Sequence, residues 1–240
     1  TIGMTNADVS LIEYDVADDK ILKDDDGFCK QILTHDPGLL IVRIGVNAVF
    51  NGYTDAQATE KKILRDVFEE GDAWFNTGDL IKTVDVGYAL GKTHYQFVDR
   101  VGDTFRWKSE NVSTNEVGEI LNGFSDVNMS NVYGVQIPGC EGRAGMAAFS
   151  LEDASSFDWQ AFSDYVDNSL PKYARPLFIR IIEEMDTTGT FKLKKNDLRN
   201  EAFNIDKVTD QIYCLKPNSS NYEVLDKEWL QTINSEQAGY

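Results

Sequence analysis

The sequence has 240 residues, 42% of them apolar and 26% charged, with a formal net charge of -17. This length allows one large or two modest domains with a buried core. The acidic balance argues against general nucleic-acid binding, which needs basic patches to neutralise phosphates, and more weakly against passive docking to anionic lipid.

Strand patterns dominate the first hundred residues. Short apolar runs rich in β-branched or aromatic residues predict strands at 9–13, 39–44 and 95–98. Residues 54–69 predict a helix that begins with Thr54 and Asp55 as its N-cap. Two further strands are predicted within 72–86, on either side of a turn at 76–79. An antiparallel, strand-rich lobe is expected.

The pattern after residue 100 mixes helices and strands. Ser113 and Glu116 form a capping box and predict a helix over 113–121. The remaining elements are predicted as strands at 131–137, 144–150 and 177–182, an amphipathic helix at 156–168 and a last short helix at 194–203. The aromatic stripe of the amphipathic helix is typical of core packing. The whole pattern predicts an α+β fold with a domain boundary near residue 101.

Three segments carry residues suited to nucleotide chemistry. The first, 74–80, places Asp79 in a Thr-Gly-Asp turn, where its two acceptor oxygens suit a pair of ribose hydroxyls. Taken alone, this short pattern favours an aspartate that caps its own turn.

The second segment, 97–108, ends a strand in Asp99 and Arg100, followed by Gly102 and Asp103. The planar fork of Arg100 suits ribose or phosphate oxygens. A surface ion pair beside a turn glycine explains the same residues equally well.

The third segment, 187–195, presents Lys192 in a Thr/Gly loop ahead of a short helix. A mobile ammonium there can neutralise charge that develops when a carboxylate attacks the α-phosphate of ATP. In isolation, the run favours a solvated basic surface.

In this order and spacing, the three segments resemble the late adenylation motifs of the acyl-CoA synthetase, adenylation-domain and luciferase superfamily. The resemblance extends over nearly the whole chain and is most specific to the branch of fatty acid transport proteins and very-long-chain acyl-CoA synthetases. The stretches that carry it are DRVGDTFRWKSENVSTNEV (99–117), NVYGVQIPGCEGRAGMAA (131–148), LPKYARPLFIR (170–180) and TGTFKLKK (188–195). It implies the strand-rich end of the large adenylation lobe at 1–101 and a small, mobile α+β C-terminal domain at 102–240.

The resemblance also implies roles for individual residues. Asp79 matches the acid that holds both ribose hydroxyls of ATP and acyl-AMP, and Arg100 matches the arginine near that ribose. Gly102 matches the hinge about which the small domain rotates between two half-reactions, with Asp103 as the second choice. Lys192 matches the lysine that catalyses adenylation.

Residues 106–117 match the loop that lines the tunnel for the pantetheine arm of CoA. The candidate tunnel residues are Trp107, Lys108, Ser109, Glu110 and Asn111. Ser109 stands where this branch usually has glycine, which affects how closely the CoA can approach the backbone. No metal ligands are predicted.

The implied activity is that of an ATP-dependent ligase of long or very long fatty acids and CoA. Fatty carboxylate and Mg-ATP give acyl-AMP and pyrophosphate, and CoA then displaces AMP. Neither a phosphate-cradling Gly/Ser/Thr loop nor an adenine-stacking aromatic segment occurs in these residues. We therefore expect a C-terminal fragment that is inactive alone, with ATP and Mg²⁺ held mostly by an N-terminal part.

Fatty acid, ATP and CoA are the expected partners, with no nucleic acid and no transmembrane segment. Three widely spaced cysteines indicate a reducing compartment, and the expected location is the cytoplasm or the periphery of a membrane. Peripheral membrane contact or a homodimer is a further expected interaction. Two alternatives stay open. The same branch handles bile-acid or steroid-type carboxylates, and the region could serve as a non-enzymatic interaction module.

Overall fold

The chain folds into two compact units, Thr1–Gly102 and Asp103–Tyr240. The structure is a computed structural model that describes residues 2–45, 56–87, 91–183 and 195–240. Helices and strands occur together, which confirms the predicted α+β class. The division falls one residue after the predicted boundary at 101, and the equivalence of the units with the two domains of an adenylating enzyme stays a prediction.

An antiparallel sheet dominates the first unit. Its elements are β1 (Ile2–Gly3), β2 (Val9–Ile12), β3 (Tyr14–Asp15), β4 (Lys20–Ile21), β5 (Gly38–Arg43), α1 (Ala56–Glu60), β6 (Ile63–Arg65), β7 (Ala73–Val84) and β8 (His94–Arg100). The sheet has the order β1-β8-β7-β5-β2, and β6 pairs with β7 as well. The strands predicted at 9–13, 39–44 and 95–98 are confirmed as β2, β5 and β8.

The prediction of a helix over 54–69 is wrong for most of that range. Only Ala56–Glu60 is helical, and Ile63–Arg65 pairs antiparallel with β7; the predicted N-cap at 54 and 55 lies outside the described residues. The carboxylate of Asp72 accepts the backbone N–H groups of Val67 and Phe68 at 2.6 and 3.0 Å. A helix would direct these donors to its own carbonyls, so the Asp72 side chain, four and five residues further along, stabilises a non-helical backbone here.

The turn predicted at 76–79 is also wrong, because β7 runs through it as one strand of 12 residues. Pairing with β5 moves from Leu39–Leu80 to Ile41–Asn76, so residues 77–79 form a bulge opposite a single residue. Gly78 has a φ of 78°, in the left-handed region that favours glycine. Glycine between polar residues marks a bulge as well as a turn, and only strand pairing decides between them.

The second unit is built on a five-stranded sheet with the order β11-β12-β13-β14-β15. Its elements are β9 (Phe105–Trp107), β10 (Glu110–Val112), α2 (Thr114–Leu121), β11 (Val127–Val135), β12 (Ala144–Leu151), α3 (Trp159–Ser169), β13 (Phe178–Ile181), α4 (Asn196–Glu201), β14 (Ile212–Leu215), β15 (Tyr222–Val224) and α5 (Lys227–Asn234). Neighbouring strands are antiparallel except β12 and β13, which are parallel and joined through α3. β9 and β10 form a separate hairpin.

Every element predicted after residue 100 is present. The capping box is confirmed in part, because the Ser113 hydroxyl accepts the N–H of Glu116 at 3.2 Å at the start of α2. However, the helix predicted at 194–203, which is α4, is followed by a further one, α5, capped by Asp226. β14, β15 and α5 were not predicted. Within the described ranges, no helix has the length and apolar character needed to cross a lipid bilayer.

An aromatic cluster forms the centre of the second unit. Phe162 of α3 is fully buried, and its ring lies 5.3 Å from that of Phe124 and 5.4 Å from that of Phe149. Both ring pairs have the edge-to-face arrangement that aromatic side chains prefer. The stripe on this helix therefore packs in the core, as its spacing predicted.

All three cysteines are free, and two of them are buried. Burial raises the pKa of the Cys214 thiol to about 12 and also raises the pKa of the Cys29 thiol. Because the thiolate is the reactive form, both thiols stay protonated and unreactive at pH 8.

We expect a chromogenic disulfide reagent at pH 8 to modify Cys140 in the native chain and all three cysteines after unfolding. Rapid modification of Cys214 in the native chain would contradict this burial.

Candidate functional site

The bulge in β7 is held by two side chains next to Asp79. The Thr77 hydroxyl donates to the backbone carbonyl of Leu40 at 2.8 Å and accepts the N–H of Asp79 at 3.1 Å. The amide oxygen of Asn76 accepts the N–H of Gly78 at 2.9 Å. These bonds satisfy backbone groups that the bulge removes from the sheet, so the backbone that carries the Asp79 side chain is fixed.

Asp79 and Arg100, the two predicted nucleotide-binding residues, lie opposite each other on β7 and β8. The Nε of Arg100 lies 3.6 Å from a carboxylate oxygen of Asp79, and their side chains are 52% and 34% exposed. Such a loose, exposed ion pair contributes about 0–1 kcal/mol to stability. The carboxylate keeps acceptor capacity for a pair of vicinal hydroxyls, and the guanidinium keeps donors for phosphate or ribose oxygens.

Lys62 is a further charged residue beside the bulge in β7. A Cβ on residue 78 would lie 3.0 Å from the Nζ of Lys62, so glycine leaves room for the ammonium. The backbone carbonyl of Lys62 accepts the N–H of Asn76 at 2.8 Å, which places the residue beside β7. Because a helix over 54–69 would separate Lys62 from β7, the sequence pattern gives no indication of this position.

The predicted hinge lies at the junction of the two units. Gly102 ends the first unit with a φ of 82°, and a Cβ added there would meet no atom within 4 Å. Asp103 begins the second unit. Its carboxylate lies 3.1 Å from the Nζ of Lys195 and 2.8 Å from an Nη of Arg199. The two hinge candidates therefore differ, since one is in open space and the other is bound to two cations.

The candidate CoA-tunnel residues lie on the hairpin of β9 and β10. Lys108 and Ser109 form its two-residue turn, with φ values of 53° and 68° that suit a type I′ turn. Glycine adopts this backbone at lower cost than serine, so the departure at Ser109 falls on a position that favours glycine. Lys108, Ser109, Glu110 and Asn111 are exposed, whereas Trp107 is buried in the core of the second unit.

Lys192, the predicted catalytic lysine, lies outside the described residues, which end at 183 and resume at 195. On the far side of that gap, α4 is bound through Arg199 to Asp103 and through Glu201 to the buried Arg180 of β13. The described chain after the gap is thus tied to two other parts of the second unit. Across the described ranges, no group of three or more His, Cys, Asp or Glu side chains is arranged to hold a metal ion.

Comparison with known proteins finds close relatives over nearly the whole chain. The chain is 42% identical over 234 residues to a medium/long-chain-fatty-acid–CoA ligase of Mycobacterium tuberculosis, and the match covers 98% of this chain and 38% of the ligase. It is also 42% identical over 228 residues to long-chain fatty acid transport protein 6 of Mus musculus, covering 95% of this chain and 36% of that protein. Over nearly its whole length, the chain is therefore homologous to fatty-acid–CoA ligases and fatty acid transport proteins.

This homology confirms the predicted resemblance, although no family model matches the chain. The chain spans less than two fifths of the length of these two relatives. Among solved structures, ATP-bound MatB from Rhodopseudomonas palustris has a TM-score of 0.60 at 22% identity, covering 82% of this chain and 34% of that one. At that identity, the likeness shows a shared fold.

Proposed function

We propose that this chain is the C-terminal part of an ATP-dependent ligase that joins long or very long fatty acids to CoA. In the first step, the fatty carboxylate attacks the α-phosphate of ATP and releases pyrophosphate. In the second step, the CoA thiolate attacks the acyl carbonyl and AMP leaves. Homology to fatty-acid–CoA ligases supports this activity, and the cross-strand pair of Asp79 and Arg100 is the observation that carries it.

The pair suits the nucleotide part of both steps. Two vicinal hydroxyls can donate to the two carboxylate oxygens of Asp79, and a charged acceptor makes these hydrogen bonds stronger than neutral ones. Arg100 can then donate to oxygens of the same ribose or of the α-phosphate without leaving its strand. Because the bulge fixes the backbone of Asp79, the carboxylate is preorganised, which reduces the entropy that binding must offset.

The remaining assignments complete the proposal. Lys192 neutralises charge on the α-phosphate during adenylation, Gly102 lets the small domain turn between the two steps, and the β9–β10 hairpin borders the CoA tunnel through Lys108, Ser109, Glu110 and Asn111. Mg²⁺ accompanies ATP and is held mostly by the rest of the enzyme. Peripheral membrane contact, a cytoplasmic location and a homodimer belong to the same proposal.

Asp79→Ala in the whole enzyme tests the nucleotide assignment. We expect the KM for ATP to rise about ten- to a hundredfold, since hydrogen bonds to a charged group are worth about 1.5–3 kcal/mol. Pyrophosphate release with a saturating long-chain fatty acid measures this constant. The control is Asp18→Asn, which removes an exposed carboxylate paired with Lys20 in the same unit.

An ATP KM within twofold of the wild-type value for Asp79→Ala would reject the ribose assignment. The acyl class is tested separately in the wild-type enzyme, with a series of fatty acids of increasing length beside a steroid-type carboxylate. Preference for the steroid-type carboxylate would overturn the fatty-acid assignment and leave the nucleotide assignment standing.

A further inference from the structure

The residues on either side of Gly102 are each held within their own unit. On the first side, the N–H of Val101 donates to the carbonyl of Gly78 in the β7 bulge at 2.9 Å. On the second side, Asp103 is bound to α4. Within the described part of the chain, Gly102 makes no hydrogen bond. Its φ is 82°, and a Cβ added there would meet no atom within 4 Å, so no neighbouring group opposes rotation about its φ and ψ.

The anchor at Asp103 is a cluster of four residues from three parts of the second unit. One carboxylate oxygen faces the Nη of Arg199 at 2.8 Å, and the other faces the Nζ of Lys195 at 3.1 Å. The same Nζ donates to the Oγ1 of Thr114, the first residue of α2, at 2.8 Å. Asp103 thus joins the start of the unit to two helices.

The cluster is also protected from solvent. The charged side chains of Asp103, Lys195 and Arg199 are 24%, 20% and 22% exposed. Ion pairs at this depth are screened by salt much less than those on the open surface. Turning the backbone at Asp103 would separate one carboxylate from two partly buried cations, whereas turning it at Gly102 breaks none of these contacts.

We infer that Asp103 is a positioning residue whose ion pairs with Lys195 and Arg199 fix the start of the C-terminal unit, so that the chain turns at Gly102 alone. This inference rests on the proposed function, because turning matters only where one small domain serves two half-reactions. It separates the two hinge candidates into a pivot and an anchor. It also assigns Lys195 and Arg199 a part in setting the orientation from which the domain acts.

The test is Asp103→Asn in the whole enzyme, which keeps the size of the side chain and removes its charge. Adenylation is followed by pyrophosphate release without CoA, and the second step by thioester formation from supplied acyl-AMP and CoA. We expect kcat per folded enzyme to fall about ten- to a hundredfold in both steps, as for a misplaced catalytic domain. The KM for ATP should stay within twofold, because Asp79 and Arg100 lie in the other unit.

Amide hydrogen exchange provides a readout that needs no activity. Asp103→Asn should accelerate exchange at the backbone of α4 and leave that of β5 and β7 unchanged. Asp103→Glu, which keeps the charge, should restore both kcat and slow exchange. The matched control is Asp206→Asn, which removes a carboxylate from an exposed ion pair with Lys227 in the same unit and should change neither.

Unchanged kcat in both steps, or unchanged exchange of α4, would overturn the inference. If Asp103→Asn fails to fold, Lys195→Met removes one arm of the cluster and should give the same pattern at smaller size. Absence of ligase activity in the wild-type enzyme would reject the proposed function instead. The exchange of α4 would still decide whether Asp103 holds this helix.

Discussion

Lys192→Ala in the whole enzyme is expected to slow acyl-adenylate formation about a hundred- to a thousandfold, the usual cost of removing one group that stabilises transition-state charge. The ammonium is assigned to the charge that develops around the α-phosphorus while the carboxylate attacks it. In the second step the thiolate attacks the acyl carbon instead, after the proposed turn of the small domain has moved Lys192 away. Thioester formation from supplied acyl-AMP should therefore stay within a few-fold of the wild-type rate. Pyrophosphate release without CoA measures the first step, and acyl-CoA formation measures the second.

The chain provides a close control for this substitution. Lys194→Ala removes an ammonium two residues away in the same basic run and should leave both steps near the wild-type rate. Lys192→Arg should fail to restore adenylation, because a guanidinium does not reproduce the compact charge of an ammonium. Equal loss of both steps in Lys192→Ala would count against the role, since it would indicate damage to the domain as a whole.

Local signals in the sequence predicted local structure well. The cap of α2 is contained in the four residues from Ser113 to Glu116, so no distant contact is needed to form it. β5 carries a continuous apolar run from Leu39 to Val42, and three of the four residues of β2 are apolar, so their burial in the sheet follows from composition. The helix over 54–69 failed because the carboxylate of Asp72, outside the window, binds the backbone at 67 and 68.

The candidate site depends on contacts that no local pattern contains. Asp79 meets Arg100 because of the register between β7 and β8, which itself shifts between Leu80 and Ile81. A slip of one residue would place one of the two side chains on the other face of the sheet. Asp103 finds Lys195 and Arg199 at separations of 92 and 96 residues, so the sequence could indicate its position but not its partners.

The resemblance to a family predicted some of the relations that local patterns could not. It assigned Asp79 and Arg100 to one nucleotide although they lie on different segments, and the structure places them opposite each other. It left Gly102 and Asp103 as alternatives for one role, because they are adjacent in the chain. Their surroundings differ in the fold, and this difference supports separate roles.

Phe162→Ala is expected to destabilise the second unit by about 3–5 kcal/mol, the usual cost of removing a buried phenyl ring. The side chain is fully buried, and its ring contacts Phe124, Phe149 and Phe157 at centroid distances of 5.3, 5.4 and 5.4 Å. Deleting it removes apolar burial together with these and two further aromatic contacts, to Trp159 and Tyr222, and leaves a cavity that rigid strands cannot close. Amide hydrogen exchange of β12 and β13 measures the loss.

The first unit serves as an internal reference in the same measurement. Exchange at β5 and β7 should not change, because Phe162 belongs to the core of the second unit, whereas these strands form the core of the first. Exchange is the suitable probe, since a chain of two units need not unfold in a single step. Met129→Ala, at a side chain that is 39% exposed on β11, should cost less than about 0.5 kcal/mol. A loss below 1 kcal/mol for Phe162→Ala would show that the aromatic cluster is not the main support of this unit, and the stripe on α3 would then need another explanation.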